Sequence, residues 1–205
     1  MSEAPAKRRG RPPAGIREAI AAAALAVIEQ DGLGHLTSKA VAERAGASEA
    51  SVYYHFKDKV GLVQAAVQEG LAPVREINET EFGKLADRPL ADGLAEIALA
   101  FERFFTRVMP VFSAIQGDPE LRIEFGKRMT SQNMGPHRGI EAVSSYLEAQ
   151  QQRGRVDPAV DTEAAALQLV GTCLLRAFTR YMLGARVSLP GRNRTAEALA
   201  AQLAP

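Results

Sequence analysis

Apolar residues recur at intervals of three and four along most of the chain, and no stretch alternates strictly with β-branched residues, so the pattern predicts helices throughout. From Ile16 to Asp31, residues Ile20, Ala23, Ala24, Val27 and Ile28 form one stripe, and Gly32 ends the helix. Leu33 and Leu36 continue the core. A short helix follows with Val41, Ala42 and Ala45 on its apolar face. The hydroxyl of Thr37 or Ser38 opens it, and Gly46 closes it by taking a left-handed conformation. Ser48 caps the next helix, about Glu49 to Phe56, whose inward residues are Val52 and Phe56. Two short helices joined by so tight a turn have helix-turn-helix spacing.

Asp58 caps a longer helix running through Leu62, Val63, Ala66, Val67, Leu71 and Val74 to about Glu79, and Pro73 predicts a kink or break near Gly70. Pro89 opens a helix with Leu90, Leu94, Ile97, Phe101, Phe104, Phe105 and Val108, which Pro110 is expected to end. A short segment with Phe112 and Ile115 then reaches Gly117. Pro119 starts a piece bearing Leu121, Phe125 and Met129. Gly135 and Pro136 precede a helix from about His137 to Arg153 with Ile140, Val143 and Leu147 inward. Thr162 to Leu183 reads as a long helix with Asp161 as its cap and Gly184 past its end. Leu167, Val170, Leu174, Ala177, Phe178 and Tyr181 make it apolar over more than one face, which predicts cover nearly all round. A last helix runs from Arg194 to Leu203 with Leu199 and Leu203 apolar. The fold class is all-α.

Charge changes this picture only through its distribution. The chain of 205 residues has a formal net charge of +1, yet residues 1–17 carry Lys7, Arg8, Arg9, Arg11 and Arg17 against Glu3 alone. Residues 1–15 also hold three prolines and two glycines and are expected to form a disordered basic arm. Its Arg9-Gly10-Arg11-Pro12 resembles the core of minor-groove hooks, in which guanidinium groups enter a narrow, electronegative groove. The single cysteine, Cys173, excludes an intramolecular disulfide and argues for a reducing compartment. No apolar run approaches the roughly 18 residues of a membrane span, and no signal-peptide core follows the basic start, so a cytoplasmic protein with no membrane partner is expected.

Candidate catalytic chemistry is missing. His35, His55 and His137 are scattered, and Cys173 has no Cys or His at ligand spacing, so neither a metal nor a cofactor is indicated. There is no phosphate-cradling glycine loop, no serine elbow and no carboxylate pair, and no enzyme is predicted. The carboxy-terminal helices instead offer Phe104, Phe105, Met109, Phe112, Phe125, Met129, Met134 and Phe178. These side chains suit either plain core or a pocket for a largely apolar effector, with His137, Cys173 and Arg176 as polar candidates.

The outward face of the Glu49 helix carries Glu49, Ser51, Tyr53, Tyr54 and His55. Small polar groups at the front of such a helix reach base edges in a major groove, whereas tyrosine hydroxyls and lysine ammonium groups suit phosphates. An ordinary surface helix, in a helical interaction or ligand-carrier protein whose helix-turn-helix is only structural, is the alternative. Leu36-Thr37-Ser38-Lys39, Ala42-Glu43-Arg44-Ala45-Gly46, Ser51-Val52-Tyr53-Tyr54-His55-Phe56 and Lys57-Asp58-Lys59 together resemble the DNA-binding domain of TetR-type transcriptional regulators. The resemblance spans roughly residues 16 to 63. It implies a three-helix DNA-binding domain over 16–63 and a helical ligand-binding and dimerisation domain over 64–205. It also implies a homodimer, paired through the last two helices, that binds double-stranded DNA at a palindromic operator, usually as a repressor, and releases it when a small-molecule effector enters.

Carried over residue by residue, Thr37, Ser38 and Lys39 would contact the DNA backbone, Lys39 also reaching a base. Ser48 stands at the turn. Glu49, Ala50 and Ser51 would face bases, Glu49 accepting from a cytosine amino group and Ala50 meeting a thymine methyl. Tyr53, Tyr54, His55 and Lys59 would hold phosphates, and Arg9 and Arg11 would enter the minor groove. Glu49 departs from the basic or amide reader common at its position.

Overall fold

The computed structural model describes residues 15–80, 85 and 87–205. The expected basic arm, with Arg9 and Arg11, lies outside the described residues except for Gly15. Among the described residues there are ten α-helices and no strand. These are α1 (Ile16–Asp31), α2 (Ser38–Ala45), α3 (Glu49–His55), α4 (Lys59–Gly70), α5 (Ala72–Thr80), α6 (Leu90–Gln116), α7 (Pro119–Ser131), α8 (Pro136–Gln152), α9 (Thr162–Leu183) and α10 (Arg192–Leu203).

Side-chain caps fix where the helices begin. Thr37, rather than Ser38, accepts the Ala40 amide at 3.1 Å, Ser48 accepts that of Ser51 at 3.2 Å, and Asp58 accepts that of Gly61 at 2.7 Å. Asp118 and Asp161 do the same for α7 and α9. Between α2 and α3 the chain turns on Gly46 at φ 63, a left-handed conformation that a Cβ would strain. The α1 stripe is buried as its spacing predicts, and Ile20, Ala24, Val41, Val52, Val63 and Ala66 are completely enclosed. The buried residues form a continuous cluster from α1 to α10.

The chain does break after Gly70, where the Pro73 ring cannot continue the α4 hydrogen-bond ladder; Pro73 instead sits in the first turn of α5. Gly70 has a second reason to be small, because a Cβ there would meet Val108 Cγ1 at 2.4 Å where α4 crosses α6.

Pro110 departs from expectation. It lies inside α6, which runs for 27 residues without ending there. The missing proline N–H removes one ladder bond, but Val108, Met109, Val111 and Ile115 are all buried on either side, and their packing holds the helix through the fault.

Within the single subunit the long helix α9 is covered on one side. Ala165, Ala166, Leu169, Val170, Cys173 and Ala177 are buried against α6 and α8, while Leu167, Leu174, Leu175, Phe178, Tyr181, Met182 and Leu183 are exposed. Helix α10 begins two residues earlier than its pattern suggests, and its Leu199 and Leu203 are buried, the helix packing on α6 of the same subunit.

Candidate functional site

Helix α3 has seven residues, too few to be stable alone, so its outward face depends on its anchors. Val52 is completely buried and Phe56 nearly so. The Arg17 guanidinium lies 5.2 Å from the Phe56 ring centroid, a cation–π contact that fastens α1 to the end of α3. Arg44 of α2 pairs with Asp31 at 3.1 Å and takes the Gln30 side-chain oxygen at 2.9 Å, fixing α2 against the end of α1.

With those anchors inward, Glu49 and Ala50 are exposed at the front of α3, and Tyr53 and Tyr54 stand 65 % and 73 % exposed. Ser51 is half-buried. Thr37 and Lys39 are exposed and Ser38 half-buried at the start of α2; Lys59 is exposed in the first turn of α4. The Ser48 hydroxyl is occupied as the α3 cap. His55 is half-buried, edge-on to Tyr54 at 5.1 Å, and its Nε2 is enclosed without a hydrogen-bond partner among the described residues. Sequence spacing thus brings Thr37, Lys39, Glu49, Ala50, Tyr53, Tyr54 and Lys59 to exposed positions. It sets His55 at the edge of a cleft of about 380 Å³ instead.

That cleft is lined by α1, the end of α3, α4 and α7. One wall includes Arg17, His55 and Lys57, and the other Arg128 and Gln132, with α4 between them. The Arg128 guanidinium meets both oxygens of Asp58, at 2.9 and 2.7 Å. The hydrogen bond from Arg128, together with the Gly61 and Val60 amides, holds the Asp58 carboxyl below its ordinary range against the opposing effect of burial. One turn further along α4, Gln64 donates to Gln132, and both Gln64 and Gln68 approach Met134 Sδ at 3.5 Å.

The effector candidates fall into separate places. Phe105 and Met109 are buried on α6, with Phe104 and Phe105 rings 5.0 Å apart and Phe112 edge-on to Phe104 at 6.5 Å. Phe112, Phe125 and Met129 are half-buried on α6 and α7. His137 is exposed and hydrogen-bonded to Asn133 at 3.0 Å. Phe178 is 48 % exposed, on the outer face of α9. Cys173 and Arg176 face inward from α9. Burial pushes the Cys173 thiol up to about 12, and its Sγ is 3.6 Å from the Ala98 carbonyl.

Arg176 is committed to Glu102 at 2.7 Å and to the Pro190 carbonyl, and Glu102 also meets Arg192 at 3.4 Å. Glu102 was not anticipated; its only signal is a carboxylate at a position where the α6 spacing calls for an apolar residue. Arg128 was not anticipated either, since its partner is 70 residues away. Among the described residues no group of three His, Cys, Asp or Glu is placed to hold a metal ion, and no helix is long and apolar enough to cross a membrane.

Two family models match the chain. Residues 20–66 match the bacterial regulatory proteins of the tetR family, and residues 91–203 match the carboxy-terminal domain of AefR-like transcriptional repressors. A search among curated proteins finds no match. Among solved structures, a TetR-family transcriptional regulator from Mesorhizobium loti superposes with a TM-score of 0.72 at 22 % identity, covering 94 % of this chain and 96 % of that one. The fatty acid degradation regulator FadR from Bacillus halodurans gives 0.64 at 16 % identity over 94 % and 95 %. SmeT, solved in complex with triclosan, gives 0.63 at 17 % over 93 % and 92 %. The exposed helix-turn-helix at one end, the helical domain behind it and the two family matches have one meaning: this chain belongs to the tetR family of bacterial regulatory proteins, non-enzymatic transcription factors with an amino-terminal DNA-binding domain and a carboxy-terminal ligand-binding domain.

Proposed function

We propose that the protein is a cytoplasmic, homodimeric repressor that binds a palindromic operator and releases it when a small, largely apolar effector enters the carboxy-terminal domain. The observation that carries this reading is the division of α3, with Val52 and Phe56 driven into the core so that Glu49, Ala50, Tyr53 and Tyr54 project together. In this assignment residues 16–63 form the reading domain and 64–205 the sensing and dimerising domain, with the basic arm of residues 1–15 adding Arg9 and Arg11 in the minor groove. Glu49, Ala50 and Ser51 meet bases. Thr37, Ser38, Lys39, Tyr53, Tyr54 and Lys59 hold the backbone, and His55 joins them at the edge of the cleft. The dimer is supported by the exposed apolar row of α9, and an apolar effector by the aromatic and methionine side chains of α6 and α7. The likeness to SmeT, solved with triclosan, and to a fatty acid degradation regulator agrees with that ligand class.

Selection from a random duplex pool tests the proposal. The purified protein should enrich an inverted repeat whose half-sites follow the helical period, with affinity falling steeply as salt rises. No enrichment at low ionic strength, or a monomer in sedimentation at working concentration, refutes it.

A further inference from the structure

Glu102 puts a carboxylate into the core of the subunit, where it is 6 % exposed. Burying a charge is costly unless partners compensate it. Two guanidinium groups do so: Arg176 Nε of α9 donates to Oε1 at 2.7 Å, and Arg192, the first residue of α10, reaches Oε2 at 3.4 Å. Arg176 also donates to the Pro190 carbonyl, in the connection that leads into α10. A planar guanidinium held by two acceptors fixes direction as well as distance.

Stability alone does not account for such a cluster. Well-packed apolar side chains of similar volume serve a core about as well as a buried ion pair, so what the ions add is a fixed geometry. Here that geometry concerns the start of α10. The helix has 12 residues, too few to be stable alone, and Gly191 at its cap position brings no side chain to open it. Its buried residues, Ala196, Leu199 and Leu203, begin beyond the first turn. Packing on α6 therefore holds the far part of α10, and the bonds to Glu102 and Arg176 hold the near end.

Both helices joined by this carboxylate leave a face outside the subunit: Leu174, Leu175 and Phe178 on α9, and Ala198 and Ala201 on α10. Each packs on α6, which is their common base. A second copy that covers both faces needs them at one fixed angle, because apolar surfaces interdigitate closely only when their shapes match.

We propose that Glu102 is a positioning residue for self-association: by holding Arg176 and Arg192 it sets α10 against α9, and so fixes the shape of the surface on which a second copy docks. The proposal rests on the homodimer reading above and adds to it the residues that shape the interface from within the subunit.

Three full-length variants are compared with the wild type. Arg192→Gln removes the outer bond at a partly exposed residue, Arg192→Lys keeps a cation there, and Glu102→Met combined with Arg176→Met replaces the buried pair by apolar side chains. Each substitution acts twice in a two-fold dimer. Sedimentation equilibrium should show the dissociation constant raised about threefold by Arg192→Gln, close to wild type for Arg192→Lys, and raised about tenfold or more by the paired substitution. Helical content by circular dichroism should stay unchanged. At a concentration that keeps every variant dimeric, hydrogen exchange should speed up severalfold in residues 195–199 while α6 and α9 keep their protection. Dissociation constants within about twofold of wild type for both Arg192→Gln and the paired variant would overturn the proposal. Exchange that speeds up equally through α6 and α9 would overturn it too, since that marks general loosening. Should the paired variant not fold, Arg192→Gln and its lysine counterpart decide. A wild type that is itself monomeric refutes the homodimer reading instead, and the proposal falls with it.

Discussion

Helices α3 and α9 both leave large side chains outside the subunit, but they expose different chemistry. The two tyrosines of α3 end in hydroxyl groups and stand beside Glu49, Ala50 and the half-buried Ser51. Leu167, Leu174, Leu175, Phe178 and Met182 of α9 have no polar tips and follow helical spacing down one side, with the exposed Gly171 among them. The first surface suits a hydrated, charged partner that accepts hydrogen bonds. The second gains free energy only when another apolar surface expels its water, and Gly171 permits a neighbouring helix to approach closely. One molecule thus separates a face built for contacts made and released from a face built to stay covered.

The largest effect should come from charging the α9 face. In a two-fold dimer each substitution acts twice, and at roughly 1.5–3 kcal/mol per buried leucine, Leu175→Glu should weaken self-association by about 3–6 kcal/mol. Light scattering should then show a monomer across the micromolar range, with unchanged helical content because Leu175 is 61 % exposed in the isolated subunit. The matching change on the other face, Tyr54→Glu, should leave the dimer intact and abolish DNA binding. If Leu175→Glu stays dimeric, the contrast between the two faces collapses.

Next in size are substitutions that divide the α3 surface. Lys59→Ala should weaken every duplex about equally and lower the salt slope by about one per subunit, while Ser51→Ala should change which base is preferred by roughly 1–3 kcal/mol. Competition binding across a panel of single-base operator variants distinguishes the two. Equal, sequence-independent losses would mean that Ser51 and Lys59 do the same job.

What was legible in the sequence follows the range of the forces involved. Caps and turns are local: Thr37, Gly46, Ser48, Asp58 and Asp161 announce their roles within three residues, and the structure places a helix boundary at each. The inward position of Val52 and Phe56 follows from a spacing of four. Pro110 misled because a local rule met a tertiary one: a proline inside a helix, through its lost hydrogen bond and the clash of its ring, costs about 3 kcal/mol, and Val108, Val111 and Ile115 packed in the core outweigh it. Phe178 and Phe105 look alike as apolar residues in helices, but the first is half-exposed and the second buried, and only the packing of α9 on α6 separates them. The Asp58–Arg128 and Glu102–Arg176 pairs join residues more than 60 positions apart, so no local pattern reveals them.

The smallest predicted effect bears on how each face is rooted. Beneath α9, Arg176 and Glu102 are buried within the subunit, whereas the Asp58–Arg128 pair near α3 is a third to half exposed. Solvent screens such a pair, and roughly 0.5 kcal/mol is its expected contribution near neutral pH. Arg128 holds the folded-state pKa of Asp58 below the unfolded value, so the stabilisation is present above the ordinary carboxylate range and is lost as pH falls through the folded value. Urea denaturation should therefore show Asp58→Asn slightly less stable than wild type at pH 7 in low salt, with the gap closing in acid and narrowing at 1 M salt. A gap that persists in acid would place the loss in the α4 cap rather than in the ion pair. A gap of several kcal/mol would mean that the α3 side is anchored as firmly as α9, and the distinction between an adjustable face and a fixed one would have to be given up.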